Sequence, residues 1–142
     1  MAEVNFRAWD KDGEYMEYTD RNLIVSFGDN GNVDATDLSN IYSTCNGMQN
    51  FELMQSTGLK DITGDEIYEG DIVKVLVHDI EPKIMKDKMY IGVVAYNQGT
   101  FDIKISKDTY LGIIPEMYML DIDCVFRILG NIYENPELLE DN

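Results

Sequence analysis

The stretch Tyr68-Glu69-Gly70-Asp71-Ile72-Val73-Lys74-Val75-Leu76-Val77 decides how this chain reads. Ile72 to Val77 is β-branched and nearly free of polar groups, the composition of a strand buried in a sheet. A Gly-Asp step stands immediately before it. Gly70 permits a tight turn, and the Asp71 side chain can satisfy the backbone donors of the loop. A strand entered in this way is expected of a small SH3-like barrel, with Asp71 shaping the turn.

The sheet pattern continues downstream. Ile91 to Tyr96, the turn Asn97-Gln98-Gly99-Thr100 and Phe101 to Ser106 form a hairpin signal. Phe101, Ile103 and Ile105 alternate with Asp102, Lys104 and Ser106, which predicts a half-buried strand with one wet face. Pro115 limits any helix between Thr109 and Met119, and Cys124 to Leu129 reads as a last strand. Asn135-Pro136-Glu137 reads as the N-cap, first residue and acidic first turn of a short helical ending through Leu139.

Upstream, Val4, Phe6 and Ala8 alternate with Asn5, Arg7 and Trp9. Asp10-Lys11-Asp12-Gly13 then predicts a hairpin turn, with Gly13 supplying positive φ, and Glu14 to Tyr18 returns. Leu23 to Phe27, the turn Gly28 to Asn32 and Val33 to Thr36 predict a second strand pair. Asp37 is placed to cap a short helix through Leu38, Ile41 and Tyr42, although Ser, Thr and Asn dilute that pattern. Phe51 to Gln55 resumes a strand and runs into Thr57-Gly58-Leu59-Lys60-Asp61. The organisation expected is mainly β, with an N-terminal β-hairpin region over 1–57 and a small SH3-like barrel over 58–142.

The chain has 142 residues, enough for one ordinary domain or two small ones without staples. It carries 27 acids against 11 bases, a net charge of −16. Residues 1–58 contribute ten acids and three bases (−7), and residues 59–142 contribute 17 and eight (−9). Direct binding to a phosphate backbone needs surplus cations, so no nucleic-acid partner is expected. No apolar run approaches the ~20 residues of a membrane helix, and the polar start is not a signal peptide.

Reactive groups are sparse. Cys45 and Cys124 are the two cysteines and His78 the one histidine, so no zinc-type cluster forms in the sequence. Reduced thiols, with Cys124 buried in its strand, are the expectation. His78 reads as a strand-end residue with no nucleophile motif beside it. Centring a calcium loop on Gly13 or Gly31 leaves essential ligand positions empty, and hairpin turns explain both. No phosphate-cradling loop occurs. No metal or cofactor is expected; Glu69, Asp71 and His78 are the first group to substitute in testing for an enzyme. Lys83, Lys86 and Lys88 are the one basic cluster, with Lys104 and Lys107 further on. Tyr90, Tyr96, Phe101 and Tyr110 are read as sheet packing, with a peptide groove as the functional alternative.

Three separated motifs carry a family resemblance. Phe6-Arg7-Ala8-Trp9-Asp10-Lys11 opens the chain. Met54-Gln55-Ser56-Thr57-Gly58-Leu59-Lys60-Asp61 is followed by Gly64 and by Ile67-Tyr68-Glu69-Gly70-Asp71-Ile72-Val73, and Leu129-Gly130-Asn131-Ile132-Tyr133-Glu134-Asn135-Pro136-Glu137-Leu138 ends it. In this order they resemble the YopX family of bacteriophage and prophage proteins, with Ser56 standing where relatives are expected to carry an aromatic. The resemblance implies a phage-encoded protein in a bacterial host cytoplasm, with an N-terminal β region and a C-terminal SH3-like barrel. It carries over no catalytic residue. The residues singled out as loop-shaping or interacting are Gln55, Thr57, Gly58, Asp61, Glu69, Gly70, Asp71, Asn131, Tyr133 and Glu134.

The leading expectation is a non-enzymatic protein that binds a host or phage protein through sheet edges and loop aromatics. Two alternatives stand beside it. One is an acidic nucleic-acid mimic that inhibits a host defence or replication enzyme; the other is a binding module for a small ligand such as a signal nucleotide. Self-association that covers sheet edges is a further expectation.

Overall fold

The computed structural model describes residues 4–39, 47–78, 88–112, 114 and 123–139. Cys45, Lys83, Lys86, Pro115, the helix anticipated through Ile41 and Tyr42, and the side chains of His78 and Lys88 lie outside the described residues. The protein is mainly β, and its short 3₁₀ turn spans Pro136–Leu139. Two compact units divide it, Met1–Ser56 and Thr57–Asn142.

In the first unit, β1 (Phe6–Asp10) pairs with β2 (Tyr15–Tyr18) and, on its other side, with the start of β5 (Phe51–Lys60). β3 (Leu23–Phe27) and β4 (Val33–Asp37) make a separate antiparallel ribbon. Ala8, Leu23, Ala35 and Met48 form the core, with Val25, Phe51 and Leu53 packed against it. One local expectation changes here. Positive φ at the β1–β2 turn falls on Glu14 (56°), while Gly13 leaves room for the Tyr15 ring, 2.8 Å from where a Cβ would stand. Asp37 ends β4 as a buried residue, and the helix it is expected to cap lies outside the described residues. Its carboxylate is turned to Tyr15 and Ser39, because the strand continues one residue beyond the apolar pattern.

In the second unit, the end of β5 and β6 (Glu66–Tyr68) lead into β7 (Asp71–His78), β8 (Lys88–Asn97), β9 (Thr100–Ser106), β10 (Thr109–Tyr110) and β11 (Asp123–Asn131). The five-stranded sheet has the order β10-β9-β8-β7-β11, so β7 lies inside it, as its apolar sequence requires. Ile67, Val73, Val75, Val94, Ile103, Ile114 and Phe126 form one core, against which Cys124, Tyr90 and Phe101 pack. The β8–β9 turn has both central residues at positive φ, Gln98 (50°) and Gly99 (84°), the geometry that matches the twist of a two-residue hairpin.

The wet face predicted for β9 is only partly wet. Asp102 is 5% exposed. Its carboxylate accepts from the Ile103 N–H at 2.8 Å and from the Gly112 N–H at 2.9 and 3.0 Å. The segment after β10 folds back along β9, with the Leu111 N–H donating to the Ile103 carbonyl, and covers a residue that an isolated strand would expose.

Candidate functional site

Most of the residues marked in the sequence lie in the turns of the second unit. Gly70 takes φ 90°, its N–H donates to the Val94 carbonyl and its carbonyl accepts from the Ile132 N–H. Asp71, opposite Asn131 in the β7–β11 ladder, accepts from the Tyr68 N–H at 2.7 Å. Asn131 closes the following turn by accepting from the Tyr133 and Glu134 N–H groups, and its amide donates to the Glu134 carboxylate. Asn135 does not cap forward as expected. Its side-chain oxygen accepts from the Asn131 N–H, in the space left by Gly130. Glu69 is half-buried just before Gly70.

Asp61 forms the tightest of these turns. One carboxylate oxygen accepts from the Thr63 hydroxyl at 2.6 Å and from the Thr63 and Asp65 N–H groups; the other accepts from the Ile128 N–H. Burial pushes this carboxyl up, but the hydrogen bonds from Thr63, Ile128 and Asp65 outweigh it and hold Asp61 below its ordinary 3.8. The Ile62 N–H also donates to the Phe126 carbonyl, so this loop covers part of the outer edge of β11. Thr57 donates to the Ile67 carbonyl, Gly58 takes φ 81°, and Gln55 lies in β5 opposite Phe6. The arrangement brings Gly70, Asp71, Asn131, Tyr133 and Glu134 to one end of the β7–β11 pair. The described hydrogen bonds of Asp61, Asp71 and Asn131 run mainly to backbone groups of the turns and of β11, with side-chain bonds from the Thr63 hydroxyl and to the Glu134 carboxylate. No metal-binding group of His, Cys, Asp and Glu forms among the described residues.

The surface suited to a ligand lies elsewhere in the same unit. β8 changes partner along its length: Lys88 to Val93 pairs with β7, and Val93 to Asn97 pairs with β9. Val93 has a strand partner in both ladders, and the Val94 carbonyl accepts from the Gly70 N–H opposite its β9 partner Ile103. Among the described residues, Met89 to Gly92 therefore has a strand partner on the β7 side alone. Where β9 diverges, a groove of about 600 Å³ opens, lined by Ile91, Gly92 and Val93 of β8, by Lys104 to Lys107 and by Leu139. Ile91 in this lining is 42% exposed, and Met89, two residues earlier in β8, 58%. Gly92 sets the fork, because a Cβ there would stand 2.6 Å from the Lys104 carbonyl oxygen and 2.7 Å from the Ile103 side chain.

Among the described residues, the groove lining holds two cations and no carboxylate. Lys104 stands over the Tyr110 ring at 6.0 Å, and no ion pair holds it or Lys107 among the described residues. In a chain of net charge −16 this is a local reversal of sign. The sequence marked these lysines only as satellites of Lys83, Lys86 and Lys88. Of the aromatics, Tyr90 and Phe101 pack against the core, and Tyr96 meets Phe101 edge-on at 5.2 Å.

The first unit holds a cluster that sequence reading missed. Tyr15 donates to Asp37 at 2.7 Å, and the Ser39 hydroxyl and N–H each donate at 2.9 Å. Burial raises the Asp37 carboxyl, but hydrogen bonds from Tyr15 and Ser39 and one with Glu17 bring it below its ordinary value. Burial and donation to that carboxylate push the Tyr15 phenol up. Tyr15 and Asp37 are 22 residues apart, on neither a helical nor a strand spacing, so no local pattern marks them.

A family model described as YopX protein matches residues 5–140. The crystal structure of protein yopX from Bacillus subtilis is similar, at 29% identity and a TM-score of 0.60, over 96% of this chain and 98% of that one. The crystal structure of protein EF1440 from Enterococcus faecalis matches at 27% identity and a TM-score of 0.49, over 99% of this chain and 100% of that one. No curated protein matches. Among the described residues, no helix is long and apolar enough to cross a membrane.

Proposed function

The chain belongs to the YopX family, and from that premise we propose that it is a non-enzymatic, phage-encoded protein that binds a host or phage protein in the bacterial cytoplasm. The observation that carries this reading is the groove at the β8–β9 fork. It combines exposed apolar side chains, strand backbone with one open side and two lysines without carboxylate partners among the described residues. Such a surface suits protein recognition, where an apolar centre and unpaired strand groups supply affinity and charge supplies selectivity. The second unit is read as an SH3-like barrel entered at Gly70-Asp71, and the first as a β-hairpin region. The antiparallel order β10-β9-β8-β7 and the partner change along β8 support the barrel.

Mimicry of nucleic acid is the weaker reading. Glu17, Asp37, Asp61, Asp71 and Asp102 are buried, so the acid count overstates the charge that could imitate phosphates. An anionic small ligand is favoured by one observation, the presence of both Lys104 and Lys107 in the groove lining.

Crosslinking mass spectrometry in phage-infected host cells, comparing the full chain with its Lys104→Glu/Lys107→Glu variant, tests the proposal. We expect one protein to be enriched reproducibly with the unaltered chain. Absence of any enriched protein, together with turnover or retention of a small molecule from extract, overturns it.

A further inference from the structure

We infer that the groove accepts an extended, acidic peptide segment as an added strand on Met89 to Ile91, its carboxylates pairing with Lys104 and Lys107. This inference rests on the interaction-protein reading and names the chemistry of the partner. Three observations converge on it. First, the β8–β9 ladder begins at Val93, so one side of Met89 to Ile91 presents strand backbone to the gap, with no described strand opposite. A peptide laid there gains main-chain hydrogen bonds whatever its sequence, and its alternate side chains face opposite ways. Second, one wall is apolar, with Ile91, Val93 and Leu139, and offers contact to every second side chain of such a peptide.

Third, the sign of the charge selects the occupant. The chain as a whole repels an acidic segment, whereas the groove lining, among the described residues, carries Lys104 and Lys107 and no acid. A basic segment would be drawn to the rest of the surface and opposed here. Only a segment with carboxylates and alternating apolar residues satisfies the edge, the wall and the cations together. The three-residue edge, at about 3.3 Å per residue, pairs with about three residues of an added strand, so a hexapeptide covers it with residues to spare at its ends.

The probe is a fluorescein-labelled hexapeptide of sequence EVEVEV, followed by polarisation with the full chain. Binding is expected, weakening as salt rises. It should fall about tenfold or more with Lys104→Glu/Lys107→Glu, and similarly when alternate peptide nitrogens on either face are methylated. Circular dichroism of the variant, with an unchanged unfolding midpoint, separates loss of binding from loss of fold. Equal binding of KVKVKV, insensitivity to both lysine substitutions or insensitivity to N-methylation each overturn the inference. So does a concentration-dependent dimer that the lysine substitutions disperse, since a second copy is then the occupant. If a partner found in cells binds the variant as well as the unaltered chain, the groove assignment falls while the interaction reading stands.

Discussion

Gly92 is the residue on which the β8–β9 fork depends. The atoms that an added Cβ would meet include the Lys104 carbonyl, which is backbone and cannot turn aside. Gly92→Ala should therefore destabilise the second unit by about 1–3 kcal/mol, as overpacking does, and distort the groove. Urea unfolding checks the first effect and the peptide probe the second. A variant as stable as the unaltered chain would show that β9 moves freely away from β8.

Asp61 carries a pH signature at the same scale. Its carboxyl binds a proton less tightly folded than unfolded. Its stabilisation is therefore complete above the unfolded value, about pH 4, and is lost as pH falls through the lower folded value. Asp37 acts in the same direction in the first unit. Asp61→Asn should lose about 1–3 kcal/mol at pH 7, because a charged acceptor of several donors becomes a neutral one. Its stability should also fall less steeply below pH 4 than that of the unaltered chain. Chemical unfolding at pH 7 and pH 3 measures both. Parallel pH profiles would show that other carboxylates set the acid limit.

Among the elements, β11 is held at its middle and its end by side chains that reach backbone groups. Asp61 holds its middle through Ile128, and Asn131 folds its last residue into the turn that follows. Asn131→Ala should leave β11 paired to β7 while loosening residues 132–135. The expected cost is about 1 kcal/mol, because water can take over the freed turn amides. Hydrogen exchange should quicken at Tyr133 and Glu134 and stay slow at Val125 and Phe126. Uniform quickening along β11 would mean that the turn nucleates the strand.

At this scale the sequence was also most informative. Ile72 to Val77 proclaims its strand through β-branched, mostly apolar side chains, of which Ile72, Val73 and Val75 are fully buried. Gln98-Gly99 proclaims its hairpin through a local backbone requirement. Phe101 to Ser106 reads correctly as a strand, but its Asp102 is misread because the covering Gly112 amide is ten residues away. Alternation reports what a strand alone would do, not what later folds over it.

For the whole molecule, a net charge of −16 on 142 residues is a source of self-repulsion. Stability at pH 7 should rise as salt increases from about 10 mM to 500 mM, where the screening length falls several-fold. The thermal midpoint, followed by circular dichroism, should climb by a few degrees (about 1 kcal/mol or less). A midpoint that falls with salt would mean that favourable ion pairs outweigh the excess of acids. Trp9, the single tryptophan, lies in the first unit and reports its unfolding separately by fluorescence.

The sequence by itself determined the mainly β character, most strand positions and membership of the family, because these rest on side-chain periodicity and turn chemistry within a few residues. Tertiary structure decided which carboxylates are buried, since Asp61 reaches Ile128 across 67 positions and Tyr15 reaches Asp37 across 22. It also decided the groove, which exists because β8 exchanges β7 for β9 at Val93. A change of partner is a property of two neighbouring strands, and no single strand's residues encode where the second will leave the first.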